Sequence, residues 1–132
     1  MREIRIRELT FSAAHYLPGH PKCSAIHGHT YVIRNLVIRY PEDEFVDFGE
    51  IKHIIKGWDH RFIVPRKDAK IWEAIAERLF MELQVTLRLK VIDGDPTVEN
   101  IARELAREIK ESTAAEEVHL ELYEGFNQGA IV

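Results

Sequence analysis

With 132 residues, 45% of them hydrophobic, the chain is long enough for one core and fits a single domain over residues 1–132. Eighteen Lys and Arg against 22 Asp and Glu leave a net charge of −4, which argues against a nucleic-acid-binding surface. No apolar run reaches membrane-spanning length, Met1 to Arg7 has no signal-peptide core, and the lone Cys23 cannot form an internal disulfide, so a cytoplasmic protein with no membrane partner is expected.

Taken in chain order, Ile4 and Ile6 alternate in one parity and Leu9, Phe11 and Ala13 in the other, which predicts a bulge near Arg7-Glu8. A strand through Leu9 to His15 puts His15 on the apolar face. Pro18-Gly19-His20-Pro21 reads as a loop. His27, His29, Tyr31 and Ile33 share one parity as the next strand begins, and alternation over residues 30–40 ends before Pro41. Antiparallel pairing of these two strands would bring His15 close to His27 and His29, with Gly28 leaving room for the backbone near an ion. Ile51, Ile54, Ile55 and Trp58 follow helical spacing behind Asp47 as N-cap. Ile71, Trp72, Ile75, Leu79, Phe80 and Leu83 form a second helical stripe, and Val85, Leu87, Leu89 and Val91 alternate as a strand. Asp95-Pro96 opens a helix with Val98, Ile101, Ala102, Leu105 and Ile109 on its apolar face. Val118, Leu120 and Leu122 form a final strand before a turn from Gly125 to Gly129. The fold class is α+β.

His15, His27 and His29 form the candidate metal set. Neutral imidazoles suit zinc, and three protein ligands leave a fourth position open to substrate or water. Cys23, four residues before His27, is a candidate base, a fourth ligand, or a small buried residue. Asp59 beside His60 reads either as a surface pair or as a carboxylate that fixes an imidazole's tautomer for proton transfer. Glu124 shares parity with Leu120 and Leu122, so its carboxylate closes an apolar face and needs a partner. Thr97 and Asn100 sit where helix caps are found, and His20, His53 and His119 receive no role.

These residues resemble the 6-pyruvoyl-tetrahydropterin synthase and 6-carboxytetrahydropterin synthase family. The resemblance rests on Phe11-Ser12-Ala13-Ala14-His15, Cys23-x-x-x-His27-Gly28-His29, Val46-Asp47-Phe48-Gly49-Glu50, Trp58-Asp59-His60, Pro96-Thr97-Val98-Glu99-Asn100 and Tyr123-Glu124. The short Cys23-to-His27 spacing resembles the carboxytetrahydropterin branch, of the queuosine and archaeosine pathway; the pyruvoyl branch typically has a longer one. The resemblance implies a tunnelling fold: a four-stranded antiparallel sheet with two main helices on one face, and here an extra helix and strand between Pro65 and Asp95. It implies a homohexamer with active sites between subunits, and dihydroneopterin triphosphate as the small-molecule substrate. It also implies Zn2+ on His15, His27 and His29, Cys23 as base, Asp59 and His60 as its proton relay, and Glu124 with Thr97 at the pterin. Lys22 and Arg61, which adjoin these motifs, are candidates to meet the triphosphate.

Overall fold

The computed structural model describes residues 1–132. Its spine is the 14-residue strand β3 (His27–Tyr40). Antiparallel to it on one side run β1 (Arg2–Ile6) and β2 (Leu9–His15), end to end; on the other side runs β6 (Glu117–Glu124), followed by β7 (Gly129–Ile131). Counting β1 and β2 as one interrupted ribbon, this is the expected four-stranded antiparallel sheet. Two further strands extend the sheet, one foreseen between Pro65 and Asp95 and one not. The strand β4 (Arg61–Pro65) pairs parallel to β2, and β5 (Leu89–Ile92) pairs parallel to β4, giving a mixed seven-stranded sheet.

The bulge foreseen at Arg7-Glu8 is real and has a counterpart. Glu8 takes a left-handed φ of 59° between β1 and β2. Opposite it, the register of β3 against β6 slips by one residue between Ile33 and Asn35. The two irregularities face each other, and Arg34 binds Glu8 at 3.2 Å. Because both strands gain a residue at the same level, their mutual register is unbroken: Ile6 lies opposite Leu36, and Leu9 opposite Ile33. All of Ile6, Phe11, Tyr31, Ile33, Leu36, Ile38, Leu120 and Leu122 thereby reach one core.

That core lies under the helices α1 (Phe48–Lys56) and α3 (Val98–Ser112). The α1 side supplies Ile51, Ile55 and Trp58; α3 supplies Ile101, Ala102, Leu105 and Ile109, the stripe its 3.6-residue period dictates. Asp47 occupies the N-cap position of α1 but makes no side-chain cap bond. The helix α3 begins two residues after Pro96, with Thr97 as its N-cap.

The segment between Pro65 and Asp95 does add a helix and a strand. A 3-10 turn at Arg66–Asp68 leads into α2 (Ala69–Leu83). Alternation in β4 sends Ile63 to the main core and Phe62 and Val64 to the other sheet face, where they pack with Tyr16, Trp72 and Leu87. There Trp72 Nε1 donates to the Tyr16 hydroxyl, which donates to Asp68 at 2.6 Å. Burial and the Asp68 carboxylate push the Tyr16 hydroxyl up to about 12. The apolar stripe of α2 is only partly covered, since Ile71, Phe80 and Leu83 remain exposed. The strand expected from Val85 to Val91 shortens to Leu89–Ile92, because the five-residue β4 offers pairing only from Phe62 to Pro65.

Leu105 is fully buried in the main core. Leu105→Ala is expected to cost about 2–5 kcal/mol of unfolding free energy. Urea denaturation checks this, and a loss no larger than a surface substitution gives would contradict the packing described.

Candidate metal centre

The β2–β3 register places His15 opposite His27 and Ala13 opposite His29, so all three imidazoles project from one sheet face. Their ligand nitrogens lie within 4.8 Å of one another, and His15 Nε2 is 3.0 Å from His27 Nε2. A tetrahedral zinc with bonds of ~2.0–2.1 Å sets its ligand nitrogens ~3.3 Å apart, so the cluster already has nearly the required size.

Neighbouring carbonyls decide which nitrogens are free. His15 Nδ1 donates to the Pro96 carbonyl at 2.7 Å, and His27 Nδ1 donates to the Ala25 carbonyl at 2.7 Å. A carbonyl can only accept, so these Nδ1 atoms carry the protons and the neutral rings turn Nε2 lone pairs toward each other. His29 Nε2 is buried without a hydrogen bond. It lies 3.0 Å from Glu124 Oε1, close in distance but out of hydrogen-bond line, and that oxygen is also 3.1 Å from His15 Nε2. A divalent metal placed among these lone pairs and the carboxylate would satisfy all of them. The donor set fits zinc. Burial lowers the pKa of His29 and keeps it in the neutral, ligating form.

Glu124 stands opposite Tyr31 across β3, two residues from His29 on the same face. Its side chain is 13% exposed. Parity placed Glu124 on the right face; its direct approach to the histidines was not foreseen. The ring of Tyr31 stacks on Phe11 and meets His15 and His29 edge-on. Burial raises its hydroxyl, which has no hydrogen-bond partner.

The other sequence candidates fall into separate places. Cys23 is half-buried in the loop between β2 and β3 and is not part of the ligand cluster. Its carbonyl accepts from Leu17 N, and its amide donates to His20 Nδ1 at 3.1 Å. His20, given no role from sequence, thus shapes the Cys23 loop. Thr97 Oγ1 accepts from Asn100 N as the cap of α3. Asp59 and His60 form a pair, His60 Nδ1 donating to Asp59 Oδ2 at 2.8 Å. Both also grip Ser12: Asp59 Oδ1 accepts from its amide, and His60 N donates to its carbonyl. His60 holds a left-handed φ of 57°, a conformation uncommon outside glycine. No hydrogen bond or ion pair joins this pair to Cys23 or to the histidines within one chain. Gly28 also departs from expectation. It lies opposite Ala14, on the sheet face away from the histidines, and a Cβ there would make an ordinary 3.6 Å contact with the Ala13 carbonyl.

Comparison with known proteins agrees with this geometry. Residues 4–132 match the family described as 6-pyruvoyl tetrahydropterin synthase. A Rickettsia bellii protein named 6-carboxy-5,6,7,8-tetrahydropterin synthase is 36% identical over 112 residues, covering 78% of this chain and 77% of its own. The Rickettsia typhi protein of the same name is 33% identical over the same shares. A solved Plasmodium falciparum 6-pyruvoyl tetrahydropterin synthase shares the fold at a TM-score of 0.63 and 19% identity, covering 99% of this chain and 96% of its own.

Elemental analysis is expected to find one zinc per chain, lost when His27 and His29 are both changed to Ala. Full occupancy in that double variant would remove the assignment. A second expectation concerns pH. The Ser12 amide holds the Asp59 carboxyl below its usual range. A folded-state pKa below the unfolded value of about 3.9 adds stability that is fully present above that value and lost as pH falls through the folded one. The stability gap between wild type and Asp59→Asn should therefore narrow below about pH 4, as read from urea midpoints, and a gap that widens on acidification would refute this.

Proposed function

Because the chain belongs to the 6-pyruvoyl tetrahydropterin synthase family, we propose that it is a zinc-dependent lyase making 6-carboxy-5,6,7,8-tetrahydropterin from 7,8-dihydroneopterin triphosphate. Acetaldehyde and triphosphate leave as co-products, and the product feeds the queuosine and archaeosine precursor route. The observation that carries this reading is the convergence of His15, His27 and His29 with Nε2 lone pairs turned together. The Cys23-to-His27 spacing and the names of the Rickettsia relatives favour the carboxy product over the pyruvoyl one.

In this reading His15, His27 and His29 hold the metal. When bound, zinc supplies Lewis acidity that makes protons on the oxygen-bearing side chain of the substrate easier to remove. Cys23, on the loop that leads to His27, takes one of those protons. Asp59 keeps the His60 proton on Nδ1 and so leaves Nε2 as an acceptor, the tautomer a proton relay needs. With the histidine lone pairs committed to the metal, Glu124 keeps its carboxylate for the paired N–H donors of a pterin ring. Thr97, at the head of α3 beside the carbonyl that orients His15, borders the same ring.

Separation of Asp59 and His60 from the metal cluster within one chain supports a site completed by a second copy. The unpaired sheet edges at β5 and β7 support the association of copies, here into a homohexamer.

Zinc-loaded protein given dihydroneopterin triphosphate should release acetaldehyde, trapped as a hydrazone, one for each substrate consumed. Cys23→Ala should keep its zinc and lose roughly 10²–10⁴-fold in turnover. Pyruvoyl-tetrahydropterin without acetaldehyde would move the chain to the sister reaction, and unchanged turnover in the variant would remove Cys23 from the chemistry.

A further inference from the structure

Two of the three imidazoles are steered by a backbone carbonyl, and the two carbonyls come from different distances. His27 uses that of Ala25, two residues back along its own strand's approach. His15, whose ring is 1% exposed, uses that of Pro96, 81 residues away at the head of α3. The direction of the His15 lone pair therefore depends on how that short stretch of backbone is held.

It is held at Asp95. Thr97 N donates to the Asp95 carbonyl at 2.8 Å, which closes a tight turn over Pro96. From the first turn of α3 the Asn100 side chain reaches back and donates from Nδ2 to the same carbonyl at 2.9 Å. A carbonyl only accepts, so the amide nitrogen of Asn100, not its oxygen, faces Asp95. Gly94 leaves it room, since a Cβ there would come within 3.1 Å of Asn100 Nδ2. This bond is separate from the cap of α3. The cap is Thr97 Oγ1, which accepts from the backbone amide of Asn100 at 3.2 Å and would do so whatever side chain stood there. In a reciprocal capping box the third helical residue accepts from the N-cap amide, a task for Glu or Gln. Here the Thr97 amide is already engaged by Asp95, so the position calls for a donor instead.

We propose that Asn100 is a positioning residue for the metal. By tying the Asp95 carbonyl to α3 it fixes the turn that aims the Pro96 carbonyl, and through it the tautomer and ring plane of His15. The proposal rests on the reading of His15, His27 and His29 as metal ligands. Groups that orient a ligating imidazole from behind are worth roughly 10–100-fold in metal affinity. Asn100 acts one step further back, which places its effect at the lower end of that range.

Zinc affinity of the full chain, read by competition with a chromophoric chelator, tests this without substrate. Asn100→Ala deletes the donor but keeps the cap bond, and should weaken zinc roughly 10-fold. Asn100→Asp sets a carboxylate against the Asp95 carbonyl. Its added charge would by itself favour a cation and suit a helix N-terminus, so weaker zinc in this variant reports the lost donor rather than a damaged helix. Thr113→Ala is the comparison. It removes hydroxyl bonds at the far end of α3, to the Ile109 carbonyl and from the Ala115 amide, and should lower the urea midpoint with zinc affinity unchanged. NMR of the isotope-labelled, metal-free protein, above the histidine titration range, gives the second readout. Wild-type His15 should carry its proton on Nδ1, and both Asn100 variants should mix in the Nε2 tautomer. Wild-type zinc affinity in both Asn100 variants, or an unchanged His15 tautomer in them, overturns the proposal. An equal loss of zinc affinity in Thr113→Ala overturns it too, because the effect is then one of stability alone. A wild-type chain that binds no zinc overturns the metal assignment itself, and this proposal only through it.

Discussion

The antiparallel register that sets His15 opposite His27 and Ala13 opposite His29 is the constraint on which the rest of the site depends. Side chains alternate along a strand, so a slip of one residue between β2 and β3 would send one strand's histidines to the far face. The register is held from both sides. Phe11 stacks on Tyr31 one pair along, and the head of α3 presents the Pro96 carbonyl to His15. His15 is 1% exposed, so its ring is oriented by packing as well as by that hydrogen bond. The site therefore sits on rigid elements, while Cys23 is carried on the adjoining loop.

The two faces of the sheet divide the chemistry. On the helix-covered face lie the imidazoles, Glu124 and the buried Tyr31 hydroxyl. On the other lies the aromatic cluster of Tyr16, Phe62 and Trp72. Asp59 and His60 stand at the junction, anchored to both backbone groups of Ser12. That double anchor, with the left-handed backbone of His60, fixes the imidazole at the start of β4 although its side chain is 78% exposed. A group so firmly held yet so open to solvent is suited to meet something that arrives from outside the chain.

Much of this was legible in the residues. Period-two alternation gave β2, β3 and β6 and the shared face of His15, His27, His29 and Glu124, because one face of each strand is buried and the pattern must record it. The apolar stripe of α3 was equally plain for the same reason. Where burial is partial the sequence spoke less clearly. Val85 to Val91 alternates through its full length, but a strand needs a partner, and β4 is too short to provide one. The carbonyls of Pro96 and Ala25 left no trace, since every residue has one. Gly28 was read for its small size, while the face it occupies follows only from pairing with Ala14.

The facing irregularities at Glu8 and Arg34 act like a frameshift and its suppressor. One extra residue in β3 turns Leu36, Ile38 and Tyr40 inward after Tyr31 and Ile33 have already claimed that side. The extra residue at Glu8 makes the same turn in the partner ribbon, so Ile6 and Phe11 both remain inside. Deleting either alone would force a choice between burying the isoleucines of β1 and keeping His15 among its fellow ligands. Removing both would restore a common phase. The length of the chain at Arg7-Glu8, far from any ligand, is thus locked to its length at Arg34, and a change at one is tolerable only with its answer at the other.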